Sequence, residues 1–118
     1  MQVRVLSGIP FSVNTTMQIT ITSFKSSMGD NIIAKSPLMV PVEEQTIKTP
    51  DGHIDNFFIA SDENYAILTQ GETLEELETN IKENLKTNYD MFVLSETLSN
   101  KEKQIKETYL SKFEKEII

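Results

Sequence analysis

The sequence predicts an α+β domain in which an antiparallel sheet of about five strands is covered on one face by one long helix. Three observations predict this fold. Early segments alternate polar and apolar residues, as in MQITITSF (17–24), which is the period of a half-buried strand. Residues 73–94 carry apolar residues at helical spacing. Gly71 joins an apolar run to this helical pattern, which marks a change of element.

Composition indicates one soluble domain. The chain has 118 residues, of which 38% are hydrophobic and 25% charged. It lacks cysteine, which excludes disulfides and thiolate zinc sites. Its single histidine, His53, disfavours a serine–histidine triad. The first residues are too polar for a signal peptide, so we expect a cytoplasmic protein with no membrane partner.

The N-terminal part, residues 1–37, reads as an extension made of strands. QVRVL (2–6) alternates and is ended by Gly8 and Pro10. MQITITSF (17–24) follows, and NIIAK (31–35) returns antiparallel across the turn residues 26–30. We therefore predict a hairpin over residues 17–35.

A second hairpin is predicted from VPVEEQTIK (40–48) and HIDNFFIA (53–60). The tetrapeptide Thr49–Gly52 joins them, with a proline and a glycine placed as a tight turn requires. YAILTQ (65–70) forms the next strand. Phe57 and Phe58 are adjacent, so they point to opposite faces of the sheet and both need burial.

The long helix is predicted to begin at Thr73. Thr73 is a good N-cap, and Glu76 three residues later completes a capping box. We expect Gly71 to turn the chain into this helix, and a β-branched residue there would be strongly disfavoured if the turn needs a positive φ. The predicted core stripe consists of Leu74, Leu77, Ile81, Leu85, Tyr89 and Phe92.

A last amphipathic helix is predicted within residues 96–118. It begins at Ser99, with Glu102 as its capping-box partner. Its stripe is Ile105, Tyr109, Phe113 and Ile117. Amphipathicity cannot distinguish packing on the same core from contact with a second copy, so both alternatives stay open.

Two arrangements could carry chemistry, and both have a structural interpretation that we favour. A strand that ends on a glycine before a helix can bind phosphate, but here Glu72, Glu75, Glu76 and Glu78 surround the helix start and repel anions. His53 lies between Asp51 and Asp55 beside a turn, where polar residues are expected, and further metal ligands are lacking. We predict no catalytic, cofactor-binding or metal-binding residues, and hence no enzyme.

Charge is distributed unevenly. Residues 42–83 carry eleven acidic residues against Lys48 and Lys82, a net of −9, whereas residues 1–41 have a net of +2 and residues 84–118 balance. An acidic segment of this kind disfavours nucleic acid, whose binding depends on phosphate neutralisation. It favours a basic protein partner.

The helix entry carries a family resemblance. TQGETLEEL (69–77) followed by TNIKENL (79–85) resembles the HicB-like antitoxin family, in which a strand ends in a T-Q-G-(D/E)-T pattern and enters a long helix. The resemblance covers residues 38–95. Differences are the loop at residues 61–65, where the family has a proline-rich loop, and Leu77 in place of an alanine.

The resemblance implies a function as well as a fold. HicB-like antitoxins form homo-oligomers and mask a small basic ribonuclease toxin, and many carry a C-terminal DNA-binding domain, which residues after 95 are too few to form. The alternative is an orphan or phage-type protein of the same fold that inhibits another host nuclease or serves only as an oligomeric interaction domain. We expect oligomer contacts around Phe57 and Phe58, or along Ile105, Tyr109 and Phe113. Gly71, Thr73 and Glu76 are expected to be structural.

Overall fold

A computed structural model describes residues 17–117 of the chain. The predicted strand at residues 2–6 lies outside the described residues. The elements in chain order are β1 (Met17–Lys25), β2 (Asn31–Lys48), β3 (Ile54–Asp62), a 3-10 turn (Glu63–Tyr65), β4 (Ile67–Gly71), α1 (Leu74–Asn88), a π turn (Tyr89–Val93), α2 (Asn100–Lys112) and β5 (Phe113–Lys115). The α+β prediction is confirmed: an antiparallel sheet in the order β1-β2-β3-β4 has the long helix packed on one face, and β5 pairs with β2.

The alternation in β1 places its apolar side chains on the helix side of the sheet. Ile21 is fully buried, and Met17 and Ile19 pack against the core. The register with β2 then shifts between Ile21 and Ser23. Because such a bulge changes which residues face inward, Phe24 also reaches the core although it is three residues after Ile21.

The predicted strands at residues 31–35 and 40–48 are one continuous strand, β2, so their separation into two strands is wrong. The boundary between the predicted extension and core, at residue 37, consequently falls inside β2. Pro37 is tolerated because it lies where β2 has no paired residue on β1. Pro41 lies opposite Gln18 of β1. Pairing of β2 with β3 begins only at Val42, so the missing N–H of Pro41 interrupts no hydrogen bond between β2 and β3.

The long helix matches its prediction in position but differs in its stripe. Leu77, Ile81 and Leu85 are fully buried, as expected, and Phe92 is also in the core. Leu74 is 45% exposed because it begins the helix beyond Gly71, the last residue of β4 that pairs with β3. The helix widens into a π turn from Tyr89 onward.

The last helix begins as predicted and ends earlier than predicted. Ser99 Oγ accepts the Glu102 amide N–H, and Glu102 Oε1 accepts the Ser99 amide N–H at 2.8 Å, which closes the capping box. The expected helix through Ile117 is wrong, because Phe113 leaves helical geometry and pairs with Ala34 as the first residue of β5. Burial of the Phe113 ring in the core outweighs the helical periodicity of the local sequence.

The core lies between the helix-facing side of the sheet, α1 and α2. An aromatic group closes one end of it: the Phe24 ring makes edge contacts with Tyr89 and Phe113, at centroid distances of 5.9 and 5.2 Å. Tyr109 is fully buried beside this group. The terminal helix is thereby part of the same core as the sheet.

Candidate protein-binding surface

Gly71, Thr73 and Glu76 lie where β4 passes into α1. The Gly71 backbone does not adopt a positive φ. A Cβ at this position would lie 2.7 Å from the Leu77 backbone nitrogen and 3.0 Å from the Leu77 Cα. Glycine is therefore required because the helix backbone passes directly over the end of β4.

The N-cap of α1 forms half of the predicted capping box. Thr73 Oγ1 accepts the Glu76 amide N–H at 3.0 Å. The Glu76 carboxylate accepts the amide N–H of Glu72, at 2.7 Å, rather than that of Thr73. The box is displaced by one residue, and the Glu72 and Glu76 N–H groups bond within the chain. This arrangement supports the structural interpretation of the joint over a phosphate site.

The outer edge of β4 is closed by asparagine side chains. Asn80, Asn84 and Asn88 lie one helical turn apart on the side of α1 next to β4. The first donates through Nδ2 to the Gln70 carbonyl at 2.7 Å, and the second accepts the Leu68 amide N–H through Oδ1 at 2.9 Å. Side chains of α1 thus satisfy backbone groups that would otherwise be an open sheet edge.

Asn88 is the buried member of this asparagine row, and sequence reasoning missed it. Its Nδ2 lies 3.0 Å from the Tyr65 carbonyl, 2.8 Å from the Ala66 carbonyl and 3.1 Å from the Tyr109 hydroxyl, and it donates to this group of acceptors. Ala66 has a φ of 52°, a conformation that costs a non-glycine residue energy. The four-residue spacing of the asparagines in TNIKENLKTN was the available signal.

Tyr109 and Phe113 belong to the core of this chain. They are 0% and 3% exposed, and the Tyr109 hydroxyl donates to the Tyr65 carbonyl at 2.6 Å. Burial raises the pKa of Tyr109. Ile105 also packs against the core. Of the two alternatives for this stripe, the intramolecular one holds for these residues, so Tyr109 and Phe113 are not available as an oligomer contact.

Phe57 and Phe58 point to opposite faces of the sheet, as their adjacency requires. Phe58 lies on the same face as buried Val42 and Ala60 and packs against the core. Phe57 lies on the other face, which we call the open face. The apolar side chains that alternate onto the open face are half-buried or exposed: Met39, Ile47, Phe57, Ile59 and Leu68.

A two-stranded ribbon extends from the sheet. Among residues 17–117, β1 pairs with β2 from its first described residue, Met17, which is opposite Val42, and β4 pairs with β3 only as far as Phe58. Residues 43–57, which we call the ribbon, therefore pair only with each other among the described strands, apart from contacts at its base. Ile47 and Ile54 in the ribbon are 49% and 59% exposed. A two-stranded ribbon with exposed apolar residues is marginally stable unless another surface packs on it.

The ribbon ends in the predicted turn, which contains the His53 cluster. Asp51 accepts hydrogen bonds from the Thr49 hydroxyl and the His53 amide N–H, and these bonds lower the pKa of its carboxyl group. The His53 ring lies 3.8 Å from the Asp55 carboxylate, and both side chains are exposed. The aspartates and the histidine are thus placed by turn geometry, in agreement with the structural interpretation.

The acidic residues of the 42–83 segment are on the surface. All are exposed except Asp62, which is half-buried. Residues 43–57 carry four of them, Glu43, Glu44, Asp51 and Asp55, against Lys48, a net of −3. Glu44, Phe58 and Gly71 pair in one row across β2, β3 and β4, so the glutamates after Gly71 begin next to the base of the ribbon.

Within residues 17–117, no group of three or more potential ligands is placed to hold a metal ion. No helix in this part of the chain is long and apolar enough to cross a membrane. Comparison with protein-family models, with curated proteins and with solved structures gives no match. The HicB-like resemblance of residues 38–95 therefore stays a prediction.

Proposed function

We propose that this chain is a non-catalytic binding module that inhibits a basic protein by covering the surface with which that protein binds nucleic acid. The observation that carries the proposal is the ribbon, which combines exposed apolar side chains with a net charge of −3 next to the glutamates at the start of α1. Apolar contact provides affinity, and the surrounding carboxylates attract and orient a cationic surface.

The resemblance to HicB-like antitoxins makes the target more specific. In that case the partner is a small basic ribonuclease toxin, and the acidic surface competes with RNA for the toxin. The same electrostatics disfavour direct binding of nucleic acid by this chain, since the exposed carboxylates of residues 42–83 repel phosphates. The antiparallel β2-β3-β4 meander followed by α1 agrees with the strand and helix order that the resemblance implies.

The experiment starts from the reading frame next to that of this chain in its native genome, which we expect to encode a small basic protein. We expect it to cleave RNA, and we expect one equivalent of this chain to stop cleavage. Added salt should restore cleavage because it screens the contact. A chain that forms no complex, or forms one without inhibiting cleavage, would contradict the proposal. Gel-shift assays at low salt with this chain alone should show no RNA binding.

A matched pair of charge reversals tests the surface. Glu75→Lys changes an exposed glutamate in the first turn of α1, and Glu107→Lys makes the same charge change on the exposed side of α2. Inhibition should weaken with the first and stay near wild type with the second. Equal weakening by both would show that only net charge matters.

The open face favours a second candidate, an oligomeric interaction domain. Ile47, Phe57 and Ile59 lie on two paired strands and give this face an apolar stripe that α1 does not cover. Self-association without inhibition of any basic partner would support this second candidate over the first.

A further inference from the structure

We infer that the partner adds a lysine- or arginine-bearing strand to the outer edge of β3 at Ile54–Phe57, in line with β4. This inference rests on the proposed function and names the site of contact. The proposed binding position is the edge of β3 at residues 54–57. It is the same edge that pairs with β4 at residues 58–62. We call the edge at residues 54–57 the β3 slot.

The first argument is the shape of the sheet edge. β4 pairs with β3 from Asp62 to Phe58, and the chain then leaves the sheet at Gly71 to begin α1. β3 continues for four more residues, from Phe57 to Ile54, and these pair only with β2 among the described strands. Half of their backbone groups point away from β2, as in any sheet edge, and can accept a further strand.

The second argument is that the neighbouring edge is closed. Asn80 and Asn84 occupy the Gln70 carbonyl and the Leu68 amide on the outer side of β4. A strand approaching from this side can therefore extend the sheet only where β4 has ended. On the β4 side of the sheet, the asparagine row thus leaves the β3 slot as the place for strand addition.

The third argument is charge, which selects the kind of strand. Asp55 lies within the slot residues, and Glu72 follows Gly71 at the point where the slot meets the first turn of α1. Glu75 and Glu76 are in that first turn, and all four carboxylates belong to exposed residues. A cationic strand would meet carboxylates at its centre and at one end, whereas a second copy would bring another net charge of −7.

Apolar side chains beside the slot supply the remaining contact. Ile54 is 59% exposed on the helix-facing side, and Phe57 is half-buried on the open face. An added strand of alternating character would place apolar residues against one of them and basic residues against the carboxylates. It would also convert the two-stranded ribbon into a three-stranded one, which is more stable.

The test uses an octapeptide of alternating lysine and valine, with its glutamate–valine counterpart as the control peptide. We expect the lysine peptide to bind the whole chain in a salt-sensitive manner and to protect from hydrogen exchange the amides of residues 54–57 that point away from β2. The glutamate peptide should not bind. No binding of the lysine peptide, or protection elsewhere in the chain, would overturn the inference.

Two charge-reversal variants distinguish binding of the lysine peptide in the β3 slot from attraction by the net charge of the chain. Asp55→Lys should weaken binding of the lysine peptide about fivefold, the equivalent of one surface ion pair, whereas Glu107→Lys should change it less than twofold, about the effect of net charge alone. Both residues are exposed, so both variants should fold. Equal effects would overturn the inference. Protection in the free chain of the amides of residues 54–57 that point away from β2 would also overturn it, because a second copy or another part of this chain would then fill the slot.

The outcomes distinguish the inference from the proposed function. Inhibition of a basic nuclease that is indifferent to Asp55→Lys would leave the function standing and refute the β3 slot. Peptide binding with the expected variant pattern, but no inhibition of any basic nuclease, would support the slot and refute the function.

Discussion

Replacing Asn88 by alanine should destabilise the domain far more than the same replacement at Asn80. The two residues have the same side chain, lie two turns apart on α1 and both donate to backbone carbonyls near β4. They differ in burial: Asn88 is 5% exposed, whereas Asn80 is half-buried. The comparison therefore isolates the contribution of burial to a side-chain hydrogen bond.

The magnitude follows from the groups left behind. Without the Asn88 amide, the Ala66 carbonyl loses its donor in a partly buried position, which costs about 1–3 kcal/mol. Loss of the contact with the Tyr109 hydroxyl adds about 1 kcal/mol. We expect a total loss of about 2–4 kcal/mol. At Asn80, water can reach the Gln70 carbonyl in its place, so we expect about 0.5–1 kcal/mol.

Chemical denaturation followed by circular dichroism measures both differences in the free energy of unfolding. Alanine has a higher helix propensity than asparagine, but this gain is similar at both helical positions and cancels in the comparison. The slope with denaturant should be unchanged, which shows that both variants unfold from the same compact state. A loss at Asn88 that does not exceed the loss at Asn80 by at least about 1 kcal/mol would refute the reasoning.

Four further predictions follow from single sites. Gly71→Ala should cost about 1–3 kcal/mol in thermal or chemical unfolding, because its Cβ meets the Leu77 backbone at 2.7 Å; an unchanged stability would show that the helix entry can shift freely. Thr73→Ala should cost about 1 kcal/mol through loss of the N-cap, and an unaltered melt would mean that the helix begins elsewhere. Tyr109 has a folded-state pKa above its usual value of 10.0, so its contribution to stability is complete below that pH and is lost as the pH rises through the folded-state pKa. Tyr109→Phe should therefore reduce the loss of stability at alkaline pH, and an equally steep loss in the variant would contradict this. Light scattering should show a homodimer or larger that Phe57→Asp dissociates while unfolding stays cooperative, whereas a 13.4 kDa wild-type monomer would disprove self-association.

Local sequence determined the elements whose signals are carried by neighbouring residues. The capping box of Ser99 and Glu102 fixed the start of α2, because its donors and acceptors are three residues apart. The proline–glycine tetrapeptide fixed the turn between β2 and β3, where Gly52 has a φ of 88°. The four-residue steps of Leu77, Ile81 and Leu85 fixed the buried side of α1.

The misplaced elements are those decided by partners distant in the chain. β2 continues past Pro37 because residues 31–33 before it and residues 38–42 after it both pair with β1 and keep the backbone extended. Phe113 ends α2 because the Phe24 ring and the backbone of β2 provide it with a buried strand position. In both cases the competing signal, a proline or a helical period, is weaker than the tertiary contact.

The candidate surface divides in the same way. The sequence by itself determined the α+β class, the acidic middle segment and the opposite orientation of Phe57 and Phe58, since these depend on composition and on the two-residue period of a strand. Only the tertiary structure decided that β4 stops short of the β2–β3 turn and that residues 43–57 form a ribbon among the described strands. It also decided that Tyr109 is buried and that Asn80 and Asn84 close the edge of β4. Strand ends, free edges and buried hydrogen bonds are set by which segments meet in space, and no local period encodes that meeting.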